Sequence, residues 1–446
     1  MMYPSPLEHN QQQSGVPGSG LKRILFRAMF LVLAVYIACI FAIGQTWRIS
    51  NTSEQPMSPA VGAVHAHQSA STQSPQPSSS TYAPLANQVS GQNQSINAYI
   101  DHMTQTQKIG QLLMLPVYTN GYNSALNQPL QQWDIANVII FTQYGGALMP
   151  STQSGLAQLG HDLQAHANQR LIVATDDEGG TVDRLAPYYG STPSPGSLAA
   201  TGNTQQVYAQ ARQDAQRLLA NGINANFAPL VDVYQGGAIG QSRMFGSTPG
   251  DVIKYAGAFL DGLQQNGVQG TLKHWPGLGS ASANPDNSLA TITHSQSQLN
   301  STDFAPFRAL LSHQPGMIMT THVMVPAYDS SKPASLSPVL INQVLRGQLG
   351  YQGVVVTDQM EAGGLLQSMQ KQGYSDPSQA IAEATVQAIL AGNDIVECPM
   401  APDRLAAVVN AVTSAVQSGR ISQDRLNQSV QRILALKARM GLISLS

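Results

Sequence analysis

From about residue 94 onward, short apolar runs recur along the chain, and several of them end in charge. Residues 171–184 read LIVATDDEGGTVDR, 267–279 read GVQGTLKHWPGLG and 353–358 read GVVVTD. Each is a run rich in Val, Ile or Leu bounded by glycine or a turn, the pattern of a buried strand. Runs of the same kind are QLLMLPV (111–117), ANVIIF (136–141), INANFAPLVDV (223–233), GMIMTTHVMVP (316–326) and GNDIVECP (392–399). Stretches with apolar residues at helical spacing separate most of them: 94–109, 155–169, 203–219, 251–265, 301–312, 375–391 and 401–418. A last amphipathic stretch, 422–439, ends the chain. Eight strands alternating with helices predict an α/β fold, a (β/α)8 TIM-type barrel over 94–446. Spacing alone also fits a doubly wound parallel sheet. The strand count and the polar residues at the strand ends favour the barrel.

The pattern before residue 94 differs. Residues 24–43 read ILFRAMFLVLAVYIACIFAI, about one bilayer width, directly after Lys22 and Arg23. This predicts a transmembrane anchor over 24–46 with residues 1–23 cytoplasmic and the remainder extracytoplasmic, on a single-pass protein of the cell membrane. A cleaved signal peptide and a secreted product is the alternative. Residues 47–93, rich in Ser, Gln, Pro and Thr, are too polar to build a core and read as a disordered linker.

Bulk composition narrows the chemistry. The 446 residues carry a net charge of -2, and only 10% are charged, so nothing attracts nucleic acid. The two cysteines, Cys39 and Cys398, lie far apart, which excludes a disulfide scaffold and a Cys-ligated metal. The chain has no GxSxG elbow, HExxH, Walker loop or GxGxxG, so the expectation is a hydrolase without cofactor or metal. What remains are charges at strand ends. Asp358 ends an apolar strand, where a lone carboxylate is costly unless used or paired; its alternative role is a helix cap for the segment from Glu361. Asp176 ends another strand and can accept hydrogen bonds from sugar hydroxyls. Gly179 and Gly180 let the chain turn, and Arg184 braces the loop or reaches a ligand. Asp177 and Glu178 read as loop caps. Lys273 and His274 end the fifth strand, before the rigid turn WPGLG. Arg243 either clamps a ligand oxygen or pairs with Asp232. His322 ends the TTH of the sixth strand, at the site or as a core histidine.

Taken in order, IGQLLMLPV, ATDDEGGTVDR, NFAPLVDV, SRMFGSTP, GTLKHWPGLG, GVVVTDQMEA and AGNDIV resemble glycoside hydrolase family 3, specifically its single-domain β-N-acetylhexosaminidases. The resemblance covers about 94–440. It implies a retaining exo-glycosidase acting on terminal β-linked N-acetylglucosamine of peptidoglycan- or chitin-derived saccharides, with Asp358 as the nucleophile. It places Asp176, Arg184, Arg243, Lys273 and His274 on sugar-binding positions, with His322 near them. The chain departs from the family in the loop after KHWPG. Leu278 and Ser280 replace a His and an Asp, Asn284 replaces the Asp that assists the acid/base, and Asp286 stands where the acid/base His is expected. Three readings follow. Asp286 acts directly, brought in by a mobile loop; His294 swings in; or the site binds sugar and turns over slowly. A glycosidase of other sugar preference, such as a β-glucosidase, is the alternative enzyme.

Overall fold

The computed structural model describes residues 94–445. Eight parallel strands form one sheet: β1 (Leu113–Val117), β2 (Asn137–Ile140), β3 (Ile172–Thr175), β4 (Ala225–Asn226), β5 (Gln269–Trp275), β6 (Met317–Thr320), β7 (Val354–Thr357) and β8 (Val396–Glu397). They lie side by side in chain order from β1 to β7, with β8 next to β1. A parallel bridge between Val356 and Ile395 joins β7 to β8 and closes the ring. A doubly wound sheet reverses its strand order at a switch point. Here the order never reverses, so the predicted (β/α)8 barrel is the fold.

Local chemistry accounts for the surrounding helices. Pro249–Gln264 starts where the Thr248 hydroxyl accepts from Asp251 N, with proline at the first position; Pro377–Ala391 repeats the device with Asp376. The stretch 94–109 breaks into two helices, because Thr104 and Gln107 form a capping box that starts Gln105–Gln111 afresh. The run 316–326 likewise divides. Met317–Thr320 is β6, whereas Val323–Val325 leaves the barrel and joins a small ribbon with Ala290–Thr291 and Asp329–Pro333.

At the bottom of the barrel, buried Asp394 accepts from Arg346 at 2.7 Å, Ser429 Oγ at 2.6 Å, Arg432 at 3.1 Å and Val355 N at 3.0 Å. Burial pushes its pKa up, but the surrounding arginines hold it below the usual carboxylate value. The Asp of AGNDIV thus ties Gln423–Arg439 to the strands, away from the mouth.

One expectation is corrected. No helix among the described residues is long and apolar enough to cross a membrane. The segment 24–46, expected to be a transmembrane anchor, and the linker 47–93 lie outside the described residues. The described residues therefore do not support the membrane-tethered fold, the membrane partner or the single-pass localisation.

Candidate active site

The carboxyl ends of β3, β5, β7 and β8 converge on one pocket of about 170 Å³. The strands bring Asp176, Lys273, His274, Asp358 and Glu397 to it, and the loops add Glu178, Arg184, Arg243 and Asp286. Parallel closure with matched strand ends causes this convergence, since residues just past each strand meet at a common rim.

Glu178 lies at the centre of the charge network. Buried Lys273 Nζ donates to Asp176 Oδ1 at 2.7 Å and stands 2.7 Å from Glu178 Oε1. Arg243 grips the same Glu178 with two parallel bonds of 2.8 and 2.7 Å, so it does not pair with Asp232. Burial raises the Glu178 pKa, but Lys273 and Arg243 overcome this and bring it to about 2. Burial likewise disfavours the charged form of Lys273, and Asp176 and Glu178 outweigh it, so its pKa is raised. Glu178 was expected only as a loop cap. The signal was present in the period of two: Asp176 and Glu178 point to one side and Asp177 to the other. Asp177 turns back into the protein, where its N–H donates to Asn226 Oδ1 at 3.0 Å and its Oδ1 accepts from Leu185 N at 3.1 Å. The chain then reverses through Gly179 and Gly180, at φ 87° and 65°, values that favour glycine.

Lys273 and His274 are joined by a cis peptide, and both line the pocket. His274 Nδ1 lies 2.8 Å from Asp232 Oδ2, while Asp232 Oδ1 accepts from His274 N and Leu278 N. A carboxylate partner selects the tautomer with its proton on Nδ1 and leaves Nε2 to the pocket. The buried Nε of Arg184, on the pocket wall, has no hydrogen-bond partner among the described residues.

Asp358 follows β7. Its N–H donates to Thr320 O at 2.8 Å; its Oδ1 accepts from Gln359 N at 2.8 Å and its Oδ2 from Thr321 Oγ1 at 3.2 Å. It caps no helix, because the next one, Gly363–Lys371, begins after Ala362. Burial pushes its pKa up, but His274, His322, the Gln359 N–H and Lys273 hold it below the usual value. His322 is not among the pocket-lining residues. It is fully buried behind Asp358, with Nδ1 2.7 Å from Ser335 Oγ and Nε2 3.0 Å from Gln359 O.

Asp286 lines the same pocket at its exposed rim. Partial burial of the carboxyl, then the charge of Asp358, raise its pKa. The loop was expected to be mobile; in the structure it is docked. Gly363 N donates to Asp286 O at 2.7 Å, Gly364 N to Pro285 O at 2.9 Å and Leu289 N to Gln367 Oε1 at 3.0 Å. His294, the other expected acid, is not among the pocket-lining residues and pairs with Asp303 at 2.8 Å. A Cβ at Gly363 would stand 2.4 Å from Asn287 O, and one at Gly364 would stand 2.8 Å from Pro285 O and Ser288 O. Those atoms are backbone and cannot rotate away. Gly363→Ala is therefore expected to displace the loop and lower kcat by about 10- to 100-fold, since ångström errors at a reacting group carry that penalty. The check is kcat beside the thermal midpoint; an unchanged kcat in a folded variant removes the docking from the account.

Comparison with known proteins agrees with this architecture. The family model for the glycosyl hydrolase family 3 N terminal domain matches residues 104–436. An uncharacterized secreted glycosyl hydrolase of Arthroderma benhamiae is 31% identical over 317 residues, covering 69% of this chain and 86% of its own. The β-hexosaminidase A of Pseudoalteromonas piscicida is 30% identical over 350 residues, covering 72% of this chain and 56% of its own. The solved structure of a family 3 β-N-acetylglucosaminidase from Paenibacillus sp. FPU-7 superposes with a TM-score of 0.69 at 33% identity, over 77% of this chain and 65% of that one. The chain thus spans little more than half of the Pseudoalteromonas protein and just under two thirds of the Paenibacillus one.

Proposed function

The chain belongs to glycosyl hydrolase family 3 and is an O-glycosyl hydrolase of the hexosaminidase-like type, and from that premise we propose that it releases terminal β-linked N-acetylglucosamine with retention of configuration. One observation carries the reading. Two carboxyls share one pocket, with the pKa of Asp358 held down and that of Asp286 held up. Environments that push two carboxyls apart in this way suit one as nucleophile and the other as acid.

In the first step an Asp358 oxygen attacks the anomeric carbon while Asp286 gives its proton to the departing glycosidic oxygen. A glycosyl–Asp358 ester results, and the aglycone alcohol leaves. In the second step the Asp286 carboxylate takes a proton from water, the hydroxide oxygen bonds to the anomeric carbon, and Asp358 departs as carboxylate. Two inversions give net retention. Asp176, Lys273, Arg184, Arg243 and His274 supply donors and acceptors for the sugar's hydroxyls and acetamido group. His322 acts from behind, through the segment carrying Asp358 and Gln359. A pocket of about 170 Å³ is small beside the roughly 300–1,000 Å³ of drug-sized sites and suits one terminal ring rather than the interior of a polymer. Peptidoglycan- and chitin-derived saccharides offer such ends.

A second reading of the acid rests on His274. Held by buried Asp232, it also faces Asp358, so it forms a histidine–carboxylate pair in the same pocket. The test of function is hydrolysis of nitrophenyl β-N-acetylglucosaminide against nitrophenyl β-glucoside by the full chain, with the first-released anomer followed by NMR. The β-anomer of N-acetylglucosamine, released in preference to glucose, is expected. A preference for glucoside, or release of the α-anomer, overturns the reading.

A further inference from the structure

Glu397, the last residue of β8, has no part in the mechanism above and no counterpart among the expected site residues. It lines the pocket while only 3% exposed. Its backbone is engaged: its N–H donates to Thr357 Oγ1 at 3.0 Å, and its carbonyl accepts from Met360 N at 3.3 Å. Its carboxyl has no hydrogen bond or ion pair with any described residue, unlike Glu178 and Asp358 in the same pocket. The carboxyl thus reaches the pocket with its hydrogen-bonding capacity unspent on the protein. An inert strand end in a barrel of this kind is more cheaply filled by an apolar side chain.

We propose that Glu397 is a substrate-contacting specificity residue, whose carboxyl on the pocket floor hydrogen-bonds a hydroxyl of the bound sugar. The inference rests on the reading of this pocket as a sugar site. The electrostatic surroundings say which form of the carboxyl is present. Burial comes first, then Asp176 and Asp358; together with Asp286 they hold its pKa well above the usual carboxylate value, and Lys273 opposes them. In the protonated form that these surroundings favour, the carboxyl presents one O–H donor and one carbonyl acceptor. That pair matches a hydroxyl, which both accepts and donates. It does not match a sugar bearing a charged substituent at that position: an anion would meet Asp176 and Asp358, and a cation would require Glu397 to ionise beside them. Glu397 thus selects a neutral hydroxyl-bearing ring.

The test uses the full chain with Glu397→Ala and Glu397→Gln. Readouts are calorimetric binding of N-acetylglucosamine, and kcat/KM on its nitrophenyl β-glycoside and on analogues each lacking one hydroxyl. Glu397→Ala is expected to weaken binding and lower kcat/KM by about tenfold, the scale of one hydrogen bond to a neutral group. Glu397→Gln, which keeps a donor and an acceptor without charge, is expected to stay within about threefold of the wild type. On one deoxy analogue the alanine variant should match the wild type, because the hydroxyl it lost contact with is gone. A loss equal on all analogues, or a glutamine variant as impaired as the alanine one, overturns the proposal.

A second measurement does not depend on the alanine variant folding. In an Asp286→Asn background, which removes the other carboxyl with a raised pKa, affinity should fall as pH rises and Glu397 ionises. Adding Glu397→Gln should flatten that fall; an unchanged slope overturns the proposal. The binding arm also separates the two inferences. If the wild type hydrolyses no N-acetylhexosaminide, the hydrolase reading fails. Sugar bound by wild type and glutamine variant but weakly by the alanine variant still upholds Glu397, and no binding by any of them overturns it.

Discussion

Asp358→Asn is expected to lower kcat on nitrophenyl β-N-acetylglucosaminide by at least about 10⁴-fold, the scale on which loss of a covalent nucleophile is felt. The amide matches the carboxylate in size but brings no charge to the anomeric carbon. The pocket is built around that charge: His274, His322, the Gln359 N–H and Lys273 all favour ionised Asp358 against the cost of burial. The variant should still bind N-acetylglucosamine, since Asp176, Lys273 and Arg184 are untouched. A loss of kcat without a comparable loss of affinity distinguishes removal of the nucleophile from collapse of the site. In the wild type, a fluorinated slow substrate should add the mass of one glycosyl group to the peptide carrying Asp358. Kinetics within tenfold of the wild type, or labelling elsewhere, removes Asp358 from its role.

Asp286→Asn carries the second large effect, and its size depends on the leaving group. On a natural disaccharide, whose departing alkoxide needs a proton, kcat should fall by about 10²–10⁴-fold. On the nitrophenyl glycoside the first step needs little acid and the loss should be smaller. The pH profile gives the sign independently. Asp286 must hold a proton in the first step, and its pKa is raised by burial and by Asp358, so activity falls as pH rises through that raised value. Asp358 must be ionised, and its pKa is lowered, so activity falls only when pH drops below the ordinary carboxylate range. The result is a bell whose alkaline limb disappears in Asp286→Asn on the natural disaccharide. If that limb and the rate survive, while His274→Gln loses both, the acid role passes to the histidine held by Asp232.

Much of the fold follows from local signals. Apolar runs ending at Thr175 and Thr357 mark β3 and β7, because a strand buried on both faces is apolar along most of its length; β5, QGTLKHW, is marked instead by its glycine-bounded start and the turn that follows it. The charges just past β3 and β7, Asp176 and Asp358, and Lys273 and His274 inside β5, needed no knowledge of partners to be recognised. The departure at 278–286 was also legible, and it put Asp286 forward as a candidate before any geometry. Glu397 obeys the same rule as Asp358, an acid ending an apolar run, but it lay in a short strand beside a cysteine and carried no motif.

Pairings were decided only in three dimensions. Arg243 pairs with Glu178 rather than Asp232, across 65 positions of sequence, and Asp232 is taken by His274, 42 positions away. Nothing local selects between those partners; ring closure does, by fixing which strand ends are adjacent. The same holds for His322, which ends its strand as Asp358 does but turns behind the pocket toward Ser335. It holds again for Asp286, whose place in the pocket with Asp358 depends on Gly363 and Gly364, which open the helix Gly363–Lys371 and admit its backbone. The strands, the helices between them and the charges available at the strand ends were legible along the chain, because burial and period act residue by residue. Tertiary structure decided which charges neutralise one another and which carboxyls stay unpaired toward the substrate, because those energies depend on distances that only the closed barrel sets.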